Sequence, residues 1–249
     1  MKKPLLFFIL IFSSLFAQAQ EEEENASETR NFIKTNITSI ASNNYSFQYE
    51  RVLSKRTSLS LSYRFMPQGE VPFKDFIADQ FDEEEDVEYD VLNSLNVGNY
   101  AITPEFRFYM GKGHGRGFYL SAYYRYAAFD LDSYPVTFVK DDGSEGNVSM
   151  DGKITSHSGG IMLGVQWSLG RHIVLDWWIV GAHIGSAKGV LNGYSQEDLS
   201  ILEQQDIKES IEDFEFFDKV TVTDNHNVKV DISGPWAGLR TGLSLGIRF

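Results

Sequence analysis

The end of the chain, from Trp236 to Phe249, alternates between two kinds of side chain along its whole length. One face carries Ala237, Leu239, Thr241, Leu243, Leu245, Ile247 and Phe249, and the other carries Trp236, Gly238, Arg240, Gly242, Ser244, Gly246 and Arg248. A period of two over about fourteen residues indicates a long β-strand. Strands of soluble sandwiches are usually about half that length, whereas a tilted strand that crosses a bilayer needs about nine to eleven residues. The length therefore favours a membrane-spanning strand.

Seven earlier segments have the same strand character. They are residues 32–41, 45–52, 57–65, 100–110, 118–129, 154–169 and 173–188. Together with the last strand they make eight, and a closed bacterial outer-membrane barrel has an even number of strands. The sequence thus predicts an all-β fold, an eight-stranded antiparallel transmembrane β-barrel.

The connections between these strands alternate in length. Those after the second, fourth and sixth strands are short, at residues 53–56, 111–116 and 170–172, whereas residues 67–99, 130–153 and 189–235 form long connections. Only the first outer connection, residues 42–44, is short. Outer-membrane barrels have short periplasmic turns and longer extracellular loops. The pattern therefore predicts that both chain ends lie on the periplasmic side.

The N-terminus has the layout of a secretory signal peptide. Lys2 and Lys3 precede an apolar run over residues 5–16, and the small-residue site Ala17-Gln18-Ala19 follows. The run is shorter than the roughly 18 residues of a membrane-spanning helix, so we expect cleavage after Ala19. The predicted organisation is a signal peptide (1–19), an acidic segment (20–31) and a barrel domain (32–249). Because the chain has no cysteine, we expect neither a lipid anchor nor disulfides.

Charged residues fall on the predicted inward face of the strands. They are Lys34, Glu50, Arg64, Glu105, Arg107, Arg125 and Arg240, joined by Gln166. Side chains fill an eight-stranded barrel, and charges buried there need partners. We therefore expect a space-filling ionic network in which arginines bridge Glu50 and Glu105, with an ion or proton pathway as the alternative. The facing of Asp176 stays open, because placing it inward would turn Val174, Trp178 and Val180 into the lumen, and placing it outward would set a carboxylate near the periplasmic interface.

The outward face is predicted to contact lipid, and two of the long loops are strongly acidic. Aromatic residues near the strand ends are suited to the headgroup level; they are Tyr45, Tyr49, Tyr63, Tyr100, Tyr124, Tyr126, Trp167 and Trp177. Residues 67–99 hold ten acids and one base, and residues 189–235 hold eleven and three, giving net charges of −9 and −8. With a whole-chain charge of −13, the remainder is +4. The outer surface is thus expected to be acidic, and nucleic acid is not expected as a partner.

Short helices are expected inside the long loops. Ser195 and Asp198 have capping-box spacing, and Leu199, Leu202, Ile207, Ile211 and Phe214 recur near helical spacing. Phe73, Phe76, Ile77 and Phe81 suggest a shorter helix in the first loop. The helices could cap the barrel mouth or form a docking surface. The consecutive acids over residues 82–86 match a defined calcium loop poorly, so we expect no metal site and no cofactor.

The closing residues Gly242-Leu243-Ser244-Leu245-Gly246-Ile247-Arg248-Phe249 resemble the C-terminal signal that the barrel assembly machinery reads. The strand sequences Tyr45-Ser46-Phe47-Gln48-Tyr49-Glu50-Arg51 and Ser58-Leu59-Ser60-Leu61-Ser62-Tyr63 resemble small uncharacterised outer-membrane barrels of Bacteroidota, with OmpA-like eight-stranded architecture. The resemblance implies location in the cell outer membrane, with contact to lipid and lipopolysaccharide. It implies no catalytic site.

The function expected from these features is non-enzymatic. A filled barrel that presents acidic loops would serve envelope integrity, adhesion, or docking of a protein or glycan. One alternative is a lipid-modifying enzyme with a rim site near His157 and His183, which pairing of the sixth and seventh strands would place nearly opposite each other. The other is an accessory part of a secretion or transport complex.

Overall fold

The computed structural model describes residues 29–74, 95–111, 113–195, 198–212, 217–222 and 225–249. Its elements are β1 (Asn31–Asn36), a 3-10 helix (Ser39–Ser42), β2 (Tyr45–Val52), β3 (Thr57–Glu70), β4 (Asn96–Tyr109), β5 (Gly117–Val139), β6 (Glu145–Leu169), β7 (Ile173–Tyr194), α1 (Ile201–Glu212), β8 (Phe217–Val222) and β9 (Asn227–Arg248). Within these residues no helix is both long and apolar enough to cross a membrane.

Eight of the strands form a closed antiparallel ring. The order is β1-β2-β3-β4-β5-β6-β7-β9, and β9 pairs back with β1. Asn31 and Phe249 exchange two backbone hydrogen bonds of 3.0 Å where the ends of the chain meet. The all-β antiparallel class is confirmed. A ninth strand, β8, pairs with the outer part of β9 and was not predicted.

The ring has two different ends. The turn end carries both termini of the ring and the connections 53–56, 110–116 and 170–172, and the loop end carries the others. Of the predicted strands, 45–52 matches β2, whereas β1 ends at Asn36 instead of residue 41 because the chain enters the 3-10 helix at Ser39. The predicted loop 130–153 is wrong: β5 and β6 continue through it as a hairpin that turns at residues 140–144.

Successive side chains on each strand face opposite sides of the ring, as the pleat requires. The outward set is apolar and includes Phe47, Leu61 and Phe106, which are 59%, 54% and 45% exposed. The inward set is polar and includes Ser58, Glu50 and Arg107, each 0% exposed. Apolar side chains therefore cover the outside, and charged side chains lie inside.

A β-bulge in β7 decides the facing of Asp176. The register of β7 against β9 shifts between Trp178 and Gly181, and its register against β6 shifts at the same place. One extra residue reverses the alternation beyond it. Asp176 and Trp178 therefore both face inward, while Val180 faces outward and is 51% exposed. The facing of Asp176 could not be assigned from the sequence because the strand was assumed to alternate without interruption.

Beyond the loop end, the extended strands and α1 enclose an apolar core. It contains Val136, Phe138, Val148, Met150, Leu191, Leu199, Ile207, Val228, Val230 and Ile232. The two α1-segment members, Leu199 and Ile207, are 3% and 0% exposed, but Leu202 is 70% exposed and does not pack as expected. We call this part the outer extension. It places a folded surface above the ring.

The cap of α1 differs from the prediction. Ser200 Oγ accepts a hydrogen bond from the backbone N–H of Glu203 at 3.2 Å, and Glu203 Oε2 accepts one from the backbone N–H of Ser200 at 2.8 Å. This reciprocal pair is a capping box. The expected box at Ser195 and Asp198 is therefore wrong, because the helix begins at Ile201.

Some predictions concern residues outside the described part of the chain. These are the signal peptide (1–19), nearly all of the acidic segment (20–31), the acidic run 82–86 and most of the proposed first-loop helix.

Candidate functional site

The inside of the ring near the turn end holds a compact set of charged and amide side chains, which we call the ionic cluster. Its members are Lys34, Glu50, Glu105, Arg107, Gln166 and Asp176. Lys34 Nζ donates to Glu50 Oε2 and Asp176 Oδ2, each at 2.6 Å, and to Gln166 Oε1 at 2.8 Å. All three ammonium protons of Lys34 therefore have acceptors within the ring.

Arg107 is the second cation of the ionic cluster and spans its three carboxylates. Its Nη1 donates to Asp176 Oδ2 at 2.7 Å and to Glu50 Oε2 at 3.2 Å, and its Nε donates to Glu105 Oε1 at 2.7 Å. The guanidinium also lies 4.4 Å from the centre of the Tyr119 ring. One guanidinium thereby links strands from opposite parts of the ring.

Neutral side chains complete the hydrogen bonds of two carboxylates. Glu50 Oε1 accepts from Tyr109 at 2.6 Å and from Ser58 at 2.5 Å. Asp176 Oδ1 accepts from the Tyr119 hydroxyl at 2.8 Å. Buried ion pairs are tolerated when the geometry is good and the remaining lone pairs are satisfied. The ionic cluster meets both conditions at Glu50 and Asp176.

Large side chains close the ring around and below the ionic cluster. Phe32, Val52 and Val174 pack together near the turn end. Gln166 Nε2 donates to the carbonyl of Gly115 at 2.7 Å, and Gly115 itself has φ of +75°, which suits glycine in this tight turn. Because Lys34 and Arg107 have essentially no exposed surface, the ionic cluster fills this cross-section.

The interior towards the loop end is different and forms what we call the arginine cavity. Arg64 of β3, Arg125 of β5 and Arg240 of β9 line a space of about 390 Å³. The other lining residues are mostly small and polar: Asn36, Thr38, Ser39, Ser42, Ser46, Gln48, Ser62, Trp178, Leu239, Thr241 and Ser244. Near the turn end, tyrosine side chains fill the ring. Towards the loop end many of the inward residues are serines, which are smaller and leave the space open.

The structure thus divides the predicted inward set into two groups. Lys34, Glu50, Glu105 and Arg107 meet in the ionic cluster, together with Gln166. Arg64 and Arg125 form no ion pair within the described residues, and Arg240 reaches Glu105 only at 3.9 Å. Of the arginines expected to bridge Glu50 and Glu105, Arg107 contacts both and Arg240 contacts Glu105, whereas the second cation at Glu50 is Lys34. Asp176 and the tyrosines Tyr109 and Tyr119 were missed as partners.

The two candidate rim histidines lie on opposite sides of the wall. His157 faces outward, where Nδ1 contacts the Tyr124 hydroxyl, and Ser186 is its partner on β7. His183 faces inward beside Tyr123, with 3.3 Å between the hydroxyl and Nδ1. The expectation that they lie nearly opposite is wrong: His183 pairs with Gly160, because the turn centres on Arg171 instead of Gly170 and the bulge adds one more residue. Among the described residues no cluster of three His, Asp or Glu side chains could hold a metal ion.

Acidic side chains in the outer extension fasten α1 to the β5–β6 hairpin. Asp206 Oδ2 accepts from the backbone N–H of Val139 at 2.8 Å, and Glu203 Oε1 accepts from that of Asp141 at 3.2 Å. The backbone N–H of Ser200 holds the pKa of Glu203 below its usual value. The pKa of Asp142 is lowered in the same way by the hydroxyl and N–H of Ser144. With lowered pKa values, Glu203 and Asp142 are charged at neutral pH.

The predicted assembly residue, Phe249, lies at the turn end with its side chain 49% exposed on the outside. Its backbone completes the closure of β9 onto β1.

Comparison with known proteins gives one assignment. A search of the curated proteins finds no match. A family described as a protein of unknown function, DUF3575, matches residues 5–200, which is most of the chain and includes β1 to β7. The chain therefore belongs to the DUF3575 family.

Proposed function

We propose that this protein is a non-enzymatic outer-membrane β-barrel that anchors an acidic docking surface on the outside of the cell. The observation that carries the membrane assignment is the reversed distribution of side chains. Outward positions from Leu59 to Phe65 on β3 and from Ile102 to Phe108 on β4 hold no charged residue, while the ionic cluster lies inside. Soluble monomers rarely expose apolar patches of this extent.

Strand length supports the same proposal. β5, β6, β7 and β9 are 23, 25, 22 and 22 residues long. About nine to eleven residues cross a bilayer, so roughly half of each strand projects beyond it. The projecting half is the outer extension with its own apolar core. This division fits a membrane anchor that holds the outer extension above the bilayer.

The outer extension has the features of a docking surface for a basic partner. Glu145 is exposed at the hairpin tip, and Ile201 and Leu202 on α1 are 83% and 70% exposed. Exposed apolar residues surrounded by charge are typical of protein contact sites. Because the lowered pKa values of Asp142 and Glu203 keep these two carboxylates charged, the partner is expected to present cationic groups, on a protein or an amino-sugar glycan.

Compartment and folding test the membrane part of the proposal. The protein is expected in the outer-membrane fraction, to be rich in β-structure, and to migrate faster on a gel unboiled than boiled. In planar bilayers it should give no steady porin-sized conductance, because the ionic cluster fills the ring. Recovery as a soluble periplasmic monomer would overturn the membrane assignment, and a large steady conductance would overturn the anchor role.

Site-specific photo-crosslinking tests the docking part. A crosslinker at Leu202 should give a discrete adduct in intact cells, whereas the same group at Arg171, exposed in the β6–β7 turn, should not give that adduct. Raising the salt should reduce the yield, because exposed charges are screened. The variant Ile201→Ser should reduce it as well. An adduct insensitive to both changes, or none from Leu202, contradicts the docking role.

A further inference from the structure

The charges inside the ring do not balance. Lys34, Arg107 and Arg240 are matched in number by Glu50, Glu105 and Asp176, which leaves Arg64 and Arg125 in excess. The count covers the ionic cluster and the three arginines that line the cavity, of which Arg64 and Arg240 are half-buried. Arg248 is not included because it lies at the turn end beside Thr29. An excess of two positive charges in a protein interior is costly unless an anion compensates it.

The guanidinium groups of the arginine cavity have few acceptors. Arg64 Nη2 donates to Asn99 Oδ1 at 3.1 Å and Arg125 Nη1 to Thr103 Oγ1 at 3.4 Å. Arg64 Nε and Arg240 Nη1 are buried without a hydrogen-bond partner. Each guanidinium has five N–H donors, so three of them offer far more donors than the neighbouring side chains accept. Buried donors in native proteins are normally satisfied.

The aromatic residues of the cavity position one of these cations. Arg240 lies 4.6 Å from the ring centre of Tyr123 and 4.8 Å from that of Trp178. These contacts stabilise a cation at this place but accept none of its in-plane hydrogen bonds. The serines and asparagine of the lining can add neutral hydrogen bonds to an anion held by the arginines.

The wall beside the cavity has a lateral opening. β1 pairs with β9 only as far as Asn36 and Ser244, with one further bond from Ile37 N–H to Leu243 O at 2.8 Å. Beyond it, residues 233–241 of β9 pair with β7 alone in the described part of the chain. The cavity lining includes Thr38 and Leu239, and Leu239 is 79% exposed on the outside. The cavity therefore reaches the lateral surface.

We propose that the arginine cavity is a binding site for a phosphate-type oxyanion, held by Arg64, Arg125 and Arg240. A phosphate group carries about −1.5 to −2 charges at neutral pH, which matches the excess of two. Its oxygens accept several charge-assisted hydrogen bonds from guanidinium forks. The phosphate can be free in solution or borne by a lipid whose chains stay outside Leu239. Neither source requires the docking role proposed above.

The test uses the mature chain in detergent and in nanodiscs. In the first arm, inorganic phosphate is added at constant ionic strength against chloride, and the thermal midpoint and dissociation constant are measured. In the second arm, nanodiscs of phosphatidylcholine are compared with nanodiscs that also contain phosphatidic acid, and bound lipid is read by native mass spectrometry. Binding in the first arm identifies soluble phosphate and binding in the second identifies lipid phosphate; either supports the site.

Matched variants decide whether binding occurs in the cavity. Arg125→Gln should weaken binding at least tenfold, and Arg64→Gln provides the same test through a different strand should the first variant fold poorly. Arg171→Gln, which removes an exposed arginine from the β6–β7 turn, should leave binding unchanged. The proposal is overturned if neither form of phosphate binds the native protein, if the cavity variants bind as tightly as the parent, or if Arg171→Gln weakens binding equally.

Discussion

The two halves of the ring interior treat buried charge in opposite ways. In the ionic cluster, Lys34 and Arg107 face three carboxylates, and tyrosine and serine hydroxyls fill the remaining lone pairs. In the arginine cavity, Arg64 and Arg125 lie among small polar side chains with open space beside them. The difference indicates that one half stabilises the fold by itself, while the other is completed by a ligand.

The largest effect is expected from breaking the ionic cluster at Asp176, which with Glu50 is one of its two most connected carboxylates. Asp176→Ala removes an acceptor that Lys34 and Arg107 share and leaves the five cations of the ring interior with only Glu50 and Glu105 as counter-charges. We expect the free energy of unfolding to fall by about 3 to 5 kcal/mol. Urea titration of the protein in detergent, followed by tryptophan fluorescence and gel mobility, measures it.

A matched control is Glu145→Ala, which removes an exposed carboxylate at the hairpin tip. It should change the free energy of unfolding by less than about 0.5 kcal/mol. Equal effects of the two substitutions would mean that the ionic cluster contributes no more than a surface charge.

A smaller loss is expected from crowding the ionic cluster without altering its charge. A Cβ at Gly164 would come within 2.4 Å of the Tyr119 ring, and Tyr119 is the donor to Asp176 Oδ1. Gly164→Ala should therefore lower the free energy of unfolding by about 1 to 3 kcal/mol through overpacking. Gly143→Ala is not a suitable control because of its positive φ; Gly69→Ala meets no atom within 4 Å and serves instead. Equal stability of Gly164→Ala and the parent would show that Tyr119 can move freely.

Removing a charge from the arginine cavity should not lower the free energy of unfolding, in contrast to removing one from the ionic cluster. In buffer without phosphate or anionic lipid, Arg125→Gln should change the free energy of unfolding by less than about 0.5 kcal/mol or raise it, because it removes a cation without a facing carboxylate. Arg107→Gln, the same change in the ionic cluster, should cost about as much as Asp176→Ala. If both substitutions lowered the free energy of unfolding by similar amounts, the ionic cluster and the arginine cavity would not differ in how they stabilise buried charge.

Much of this arrangement was predictable from alternation, and the exceptions have physical causes. Alternation assigned Glu105, Arg107 and Arg125 to the inside, because facing depends only on position along a strand. It did not predict which of them meet, since that depends on the register between strands. Glu50 and Ser60 are neighbours across β2 and β3, whereas Arg64 lies four residues nearer the loop end and out of reach of Glu50.

The sequence prediction missed two other features, the β-bulge in β7 and the β5–β6 hairpin. The bulge between Trp178 and Gly181 inserts one residue, and the sequence shows only that two phases of alternation conflict there. The β5–β6 hairpin lies in the predicted loop 130–153, although Val136, Phe138, Val148 and Met150 alternate through it and indicate two strands.

The smallest effect is expected outside the ring, at the cap of α1. The backbone N–H of Ser200 lowers the pKa of Glu203, so the folded state binds this proton more weakly than the unfolded chain. A lowered pKa contributes stability that is present above the unfolded value of about 4.3 and is lost as the pH falls below it. In the parent protein, hydrogen exchange of the first turn of α1, corrected for intrinsic rates, should therefore become faster below that pH. The global unfolding midpoint of Glu203→Gln should equal that of the parent. Because a glutamine oxygen can accept the same bond without titrating, Glu203→Gln should lose the local pH dependence. If the pH dependence persists in this variant, a group other than Glu203 controls the end of the helix.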